Sequence, residues 1–173
     1  GWDSIDVLLI SGDTYLDTSY NGSALIGKWL VEHGFKVGII AQPEVDVPDD
    51  ITRLGEPNLF FAVSGGCVDS MVANYTATKK RRQQDDFTPG GVNNKRLDRA
   101  VLVYSNMIRR FFKGTTKKIV ISGIESSLRR ITHYDYWTNK LRKPILFDAK
   151  ADILSYGMGE MSMLQLADAL KNG

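Results

Sequence analysis

The stretch Ile5-Asp6-Val7-Leu8-Leu9-Ile10-Ser11, followed at once by Gly12-Asp13, decides how the remainder of this 173-residue chain is read. Four aliphatic residues in a row, with no polar alternation, describe a strand covered on both faces; a half-exposed strand alternates. Three further stretches have the same character: Lys36–Ala41 (KVGIIA), Asn58–Ser64 (NLFFAVS) and Lys117–Ser122 (KKIVIS). Helical spacing separates them. Leu25, Ile26, Trp29 and Leu30 form a stripe within 22–33, stopped by Gly34, and 99–112 is a second helical segment. Asp152–Tyr156 supplies a further strand, Ile145–Phe147 reads as a short one, and 161–171 closes as a helix. Strands alternating with helices predict an α/β fold, because parallel strands need crossovers and those are usually helices. The expected architecture is a doubly wound, mainly parallel sheet of about five strands.

Composition narrows the function classes. Apolar residues make up 43% and charged residues 24%, values of a folded globular chain. The formal net charge of +2 is too balanced to announce a nucleic-acid binder. No apolar run reaches the length of a membrane span, and no basic-then-apolar secretory pattern opens the chain. The single cysteine, Cys67, rules out an internal disulfide and any zinc or iron–sulfur site built from several thiolates of this chain. The start at Gly1 and the end at Lys171-Asn172-Gly173 read as a domain of a longer protein.

In an open parallel sheet, ligands collect outside the carboxyl ends of the strands. Four such ends here carry small or polar residues. Gly12 and Asp13 follow the first strand, Ser64, Gly65 and Gly66 end the third, Gly123, Glu125 and Ser126 follow the fourth, and Gly157, Gly159 and Glu160 follow the last. Glycine lets backbone amides approach a ligand, and a helix start favours an anionic or polar group. The same glycines also suit ordinary strand-to-helix turns, and Ser126 suits a helix cap, so both readings stand. No loop matches a Walker P-loop or a dinucleotide GxGxxG after the first strand.

Two other regions carry chemistry-bearing residues. The segment 68–98 is a long excursion holding Lys79-Lys80-Arg81-Arg82, Lys95 and Arg96, diluted by Asp85, Asp86 and Asp98. It reads as an exposed, charge-mixed excursion or a docking surface; the rival is a polyanion patch. His133, two residues before Asp135 and among Tyr134, Tyr136 and Trp137, reads as a local hydrogen-bonded cluster that packs this domain against a core outside this chain; the rival is a carboxylate-held acid–base histidine.

These residues taken together resemble a known family. The order IDVLLISGDTYLD, LIGKWLVEHGFKVGIIAQP, NLFFAVSGG, IVISGIESSLRRITHYDYW and ADILSYGMGE is similar to the N-terminal region of YgiQ-type radical SAM proteins. The most specific stretches are Gly123–Arg130, His133–Trp137 and Asp148–Asp152. The resemblance implies a flavodoxin-like domain of the kind that binds cobalamin, in a cytoplasmic protein. It places a 4Fe–4S cluster and S-adenosylmethionine in a radical SAM core beyond residue 173. The three-cysteine CxxxCxxC signature of that core does not occur here. The DxHxxG cobalamin signature has a partial counterpart in Asp17-Thr18-Ser19-Tyr20-Asn21-Gly22, where Asp17 and Gly22 match and Ser19 replaces the ligating histidine. Cobalamin is thus expected only if held without that ligand, and no metal ligand is assigned in this chain.

The expectation is therefore one accessory domain over 1–173, not catalytic alone, that helps enclose the active site or a cofactor of a radical SAM enzyme whose reaction is unassigned. Its partners are the downstream core and a small-molecule ligand on the rim formed by Gly12, Asp13, Asp17, Gly22, Ser64, Gly65, Gly66, Gly123, Glu125, Ser126, Gly157, Gly159 and Glu160. The alternatives are a nucleic-acid or nucleotide-partner module over Lys79–Arg99, and a small-ligand carrier of the flavodoxin type.

Overall fold

Each continuous aliphatic run becomes a strand, and the helical stripes lie between them. A computed structural model describes residues 2–15 and 21–173. In chain order these form β1 (Val7–Ser11), α1 (Gly22–Glu32), β2 (Val37–Ala41), α2 (Pro48–Thr52), β3 (Phe60–Ser64), α3 (Ser70–Asn74), α4 (Ala100–Phe111), β4 (Lys118–Ser122), α5 (Gly123–Leu128), β5 (His133–Asp135), β6 (Lys140–Arg142), α6 (Ile145–Asp148), β7 (Ile153–Leu154) and α7 (Glu160–Asn172). The main sheet runs β2-β1-β3-β4-β7 with every pair parallel. That is the flavodoxin-like order, and the chain reverses its direction of travel across the sheet between β1 and β3. The other two strands, β5 and β6, form a separate antiparallel ribbon.

The unbroken hydrophobicity of the strands is used on both faces. Leu8, Ile10, Phe61, Val63, Ile119 and Ile121 pack with Ile51, Tyr104 and Ile108 from α2 and α4. Val7, Leu9, Phe60, Ala62 and Val120 pack on the other face with Leu30 of α1 and Met163 and Ala167 of α7. Alternate side chains of one strand thus feed two cores, and burying each costs no exposed polar neighbour. Gly27 lets α1 lie close to the sheet, since a Cβ there would press on Ile39 and Leu9.

The structure departs from the sequence reading at Ile145–Phe147, which is the helix α6 rather than a strand. Three apolar residues cannot distinguish a period of 2 from one of 3.6. Here Pro144 opens the turn, and the Ala149 amide closes it on the Ile145 carbonyl at 2.8 Å. No helix among the described residues is long and apolar enough to cross a membrane.

Candidate functional site

The carboxyl ends of β1, β3 and β4 lie in register. Ser11 is opposite Ser64, and Ser64 is opposite Ser122. Each serine precedes a glycine, so the edge is a row of Ser-Gly steps. Ser64 was expected on this rim; Ser11 and Ser122 were not, although the repeated Ser-Gly at three strand ends was there to be read. Two adjoining clefts open beside this row, each of about 170 Å³. The first lies towards α1 and α7 and is mainly apolar. Leu9, Ile10, Ala62, Val63, Ile26 and Met163 form its floor and walls, with Gly157, Gly159 and Glu160 along one lip. The second is polar, with Ser11, Asp13, Gly66 and Cys67. Gly22, Ser23, Ser64 and Gly123 border both.

Local chemistry explains the lips. Asn21 accepts the Ala24 amide through its side chain at 3.1 Å and starts α1 at Gly22. Gly157 takes φ +76, which only glycine adopts without strain, and a Cβ there or at Gly22 would meet nothing within 4 Å. These two glycines border open space. Asp17, together with Ser19, lies outside the described residues.

The glycines that follow β1, β3 and β4 are there for another reason. A Cβ at Gly12 would collide with the Gly65 carbonyl, one at Gly65 with the Glu125 carboxylate, and one at Gly66 with the Asp13 carboxylate. A Cβ at Gly123 would strike the Ser64 hydroxyl. The loops are packed on one another, so the chain itself demands glycine at these four places.

What they pack around is Arg96, whose side chain is wholly buried. Its Nη2 donates to Asp13 Oδ1 at 2.5 Å, its Nε to Asp85 Oδ2 at 3.0 Å, and its Nη1 to the Gly65 carbonyl at 3.1 Å. Asp13 Oδ2 also accepts the Cys67 amide at 2.6 Å. Thr88 donates its hydroxyl to Asp85 Oδ2 at 2.6 Å, and Gln42 Nε2 donates to Thr88 Oγ1 at 2.7 Å and to the Gly12 carbonyl at 3.0 Å. Burial pushes the Asp85 carboxyl up, but hydrogen bonds from Arg96 and Thr88 outweigh it and hold its pKa below the usual carboxylate range. Lys79, Lys80, Arg81, Arg82 and Lys95 are exposed, as the sequence reading expects, whereas Arg96 and Asp85 are buried and depart from it. The Arg96 charge was visible, but its partners lie 83 and 11 residues away, and no local pattern announces them.

Glu125 lies inside α5 and is buried. Its Oε2 accepts the Ser70 amide at 3.0 Å and its Oε1 the Val101 amide at 3.2 Å, so one carboxylate satisfies the starts of α3 and α4. Neither Glu125 nor Ser126 borders either cleft. Ser126 is not a helix cap: α5 begins at Gly123 with Ser122 before it, which leaves Ser126 buried in the helix interior. Cys67 borders the polar cleft, yet burial and then the Asp13 carboxylate push its thiol up to about 12, so it is a neutral thiol.

The ribbon is anchored to the start of α4 and to the excursion. Arg99 Nη2 donates to Asp135 Oδ2 at 2.6 Å, Arg142 Nε to the same oxygen at 2.8 Å, and Thr138 also bonds it. Burial raises the Asp135 pKa, but the bonds from Thr138, Arg142 and Arg99 win and hold it well below the usual range. His133 is not held by that carboxylate; its Nδ1 meets the Ile131 carbonyl at 3.2 Å. Trp137 lies between Tyr75 and Tyr136, each ring centroid 5.3 Å away, and the Tyr136 hydroxyl donates to the Ala77 carbonyl at 2.7 Å. The aromatic cluster thus packs on the excursion of this same chain. The cationic run is partly committed too: Arg82 Nε donates to the Val72 and Tyr75 carbonyls at 3.2 Å, and Arg81 pairs with Asp98 at 3.7 Å.

Comparison with known proteins places this arrangement. The family model described as radical SAM N-terminal matches residues 1–173. The UPF0313 protein FN0734 of Fusobacterium nucleatum is 98% identical over the whole chain, and the chain spans 30% of its length. The UPF0313 protein MJ1155 of Methanocaldococcus jannaschii is 53% identical over the whole chain, which spans 28% of it. Among solved structures, the radical S-adenosylmethionine methyltransferase TsrM from Kitasatospora setae, with tryptophan substrate and a SAM analog bound, matches 98% of this chain with 26% of its own. The TM-score is 0.61 at 16% identity. A second structure of TsrM, with cobalamin and a [4Fe-4S] cluster bound, matches with a TM-score of 0.59. That likeness shows a shared fold. The chain belongs to the radical SAM N-terminal family.

Proposed function

We propose that residues 1–173 form one accessory domain of a radical SAM enzyme, with the 68–98 excursion as part of it and the catalytic core downstream in the same cytoplasmic polypeptide. Its carboxyl edge closes over the core's reaction space. Excluding water there protects a radical intermediate from quenching. The cluster and S-adenosylmethionine belong to the core, since Cys67 is the chain's only cysteine and the described residues hold no group of three or more metal-ligating side chains.

The open clefts take an elongated ligand of the corrinoid class. The observation that carries this is the contrast within one edge: the β1–β3 loops on the excursion side are filled by Arg96 and its partners, whereas the side facing α1 and α7 is left open. The apolar floor fits a flat, poorly solvated ring, and Gly22 and Gly157 leave backbone accessible at the lips. The cobalt-ligand position does not fit, because Ser19 replaces histidine. When bound, a cobalamin supplies a cobalt centre that can carry a methyl group; the residues here would only bind and orient its periphery. TsrM, of the same fold, has been solved with cobalamin bound.

The test uses the full-length 98%-identical protein, reconstituted without oxygen and titrated with hydroxocobalamin by visible absorbance. Saturable binding that is lost in Ser23→Trp, at the shared border of the clefts, supports the corrinoid reading. No binding, or binding indifferent to Ser23→Trp, overturns it. A full-length protein that assembles no iron–sulfur cluster and cleaves no S-adenosylmethionine overturns the accessory-domain reading.

A further inference from the structure

The β5–β6 ribbon has two unlike faces. Inward, Asp135 holds Arg99, Arg142 and Thr138, which locks the ribbon to the start of α4. Outward, Tyr134 lies directly opposite Leu141, and the two are 58% and 76% exposed. Directly opposed residues on one face of an antiparallel pair touch, so these form one apolar contact surface. Ile131 and Leu128, just before the ribbon, are exposed as well, and so is Phe147 on α6, which is tied to the end of α5 by the Ile145 amide and the Arg129 carbonyl. An isolated two-stranded ribbon is marginal in water and has no reason to present apolar side chains to solvent. Here ion pairs hold the inner face while the outer face stays uncovered.

We propose that this outer face, centred on Tyr134 and Leu141, docks against the polypeptide that follows residue 173 in the full-length protein; the inference rests on the accessory-domain reading. The matched relatives are more than three times as long as this chain, so a large covering surface is available in cis. Charge argues against a second copy. Arg130, Lys140 and Lys143 flank the patch and are exposed. A two-fold contact would bring these like charges together, which costs energy. The complementary surface is an apolar centre with an acidic rim.

The experiment places the photo-crosslinker p-benzoylphenylalanine at Leu141, and separately at Tyr134, in the full-length Fusobacterium nucleatum protein. Exposed Leu54, between α2 and the amino end of β3, serves as the control. The expected result is a crosslink, mapped by mass spectrometry, from position 141 or 134 to residues beyond 173, at several-fold the yield from position 54. At Tyr134 the crosslinker keeps the native phenyl ring and extends its para substituent from a side chain that is already exposed, so that variant folds even if the other does not. A covalent dimer, no crosslink, or equal yield from position 54 overturns the proposal. Iron, sulfide and S-adenosylmethionine cleavage measured on the same samples separate the two readings. A protein with an assembled cluster but no crosslink defeats the docking alone; a crosslinked protein without a cluster defeats the accessory-domain reading alone.

Discussion

The two halves of the carboxyl edge are built on opposite plans. On the excursion side, a guanidinium with no solvent contact holds two carboxylates and a carbonyl, and the β1 and β3 loops are packed until only glycine fits. On the side of α1 and α7, the same strands end beside open clefts, and Gly22 and Gly157 on their lips border empty space. A doubly wound sheet offers a crevice where its strand order reverses. This chain fills part of that crevice with its own insertion and leaves the remainder. Glycine at a strand end is therefore not evidence of a ligand by itself; what a Cβ would strike distinguishes a packing glycine from a binding one.

The strongest way to break the comparison is Arg96→Met. It leaves Asp13 and Asp85 buried without their cation, and removing one partner of a buried ion pair costs about 3–5 kcal/mol. Chemical denaturation of the full-length protein should show that loss, and a change below about 1 kcal/mol would mean water replaces the guanidinium. Gly66→Ala comes next. Its φ of +106 and the Asp13 carboxylate in the way predict a loss of about 2–4 kcal/mol. Gly22→Ala, on the open side, should cost under about 1 kcal/mol by the same measurement. If the two glycines behaved alike, the contrast between filled and open halves would be wrong.

Asp135→Asn weakens charge-assisted bonds to Arg99 and Arg142 and should cost about 2 kcal/mol locally. The readout is faster amide exchange confined to residues 133–142, with the main sheet unaffected. Acid probes the same anchors. Asp85 and Asp135 have folded pKa values below their unfolded ones near 3.9, so the unfolded chain binds more protons in that window. Their contribution is complete above that value and is lost as pH falls towards the folded values. Near-UV circular dichroism of the Tyr75–Trp137 cluster should hold level from pH 7 to about 5 and decline below about 4. A decline centred near 6 would assign the anchoring to histidine instead. The smallest effect sharpens the open side: Ser23→Trp should change stability by less than about 0.5 kcal/mol while obstructing both clefts.

The strand runs were legible because burial on both faces leaves an unbroken aliphatic signal, and the crossovers follow from parallel pairing. The helical stripes, and the Gly34 stop after the first of them, were legible for the same local reason. Ser64, Gly157, Gly159 and Glu160 were named by counting strand ends along the sequence, and Gly22 by the partial DxHxxG counterpart; each of them borders a cleft. Glu125 and Ser126 were found by the same counting and border neither, because α5 starts at once after β4 and turns them into the packing between helices.

The chain alone therefore determined the sheet, its order of elements and the edge on which chemistry is possible, since those depend on periodicity and on residues near one another. Only the tertiary structure decided which half of that edge is open. That choice rests on Arg96 meeting Asp13 across 83 positions, just as the place of the ribbon rests on Asp135 meeting Arg99 across 36, and one-dimensional spacing carries no information about charges that meet only after folding.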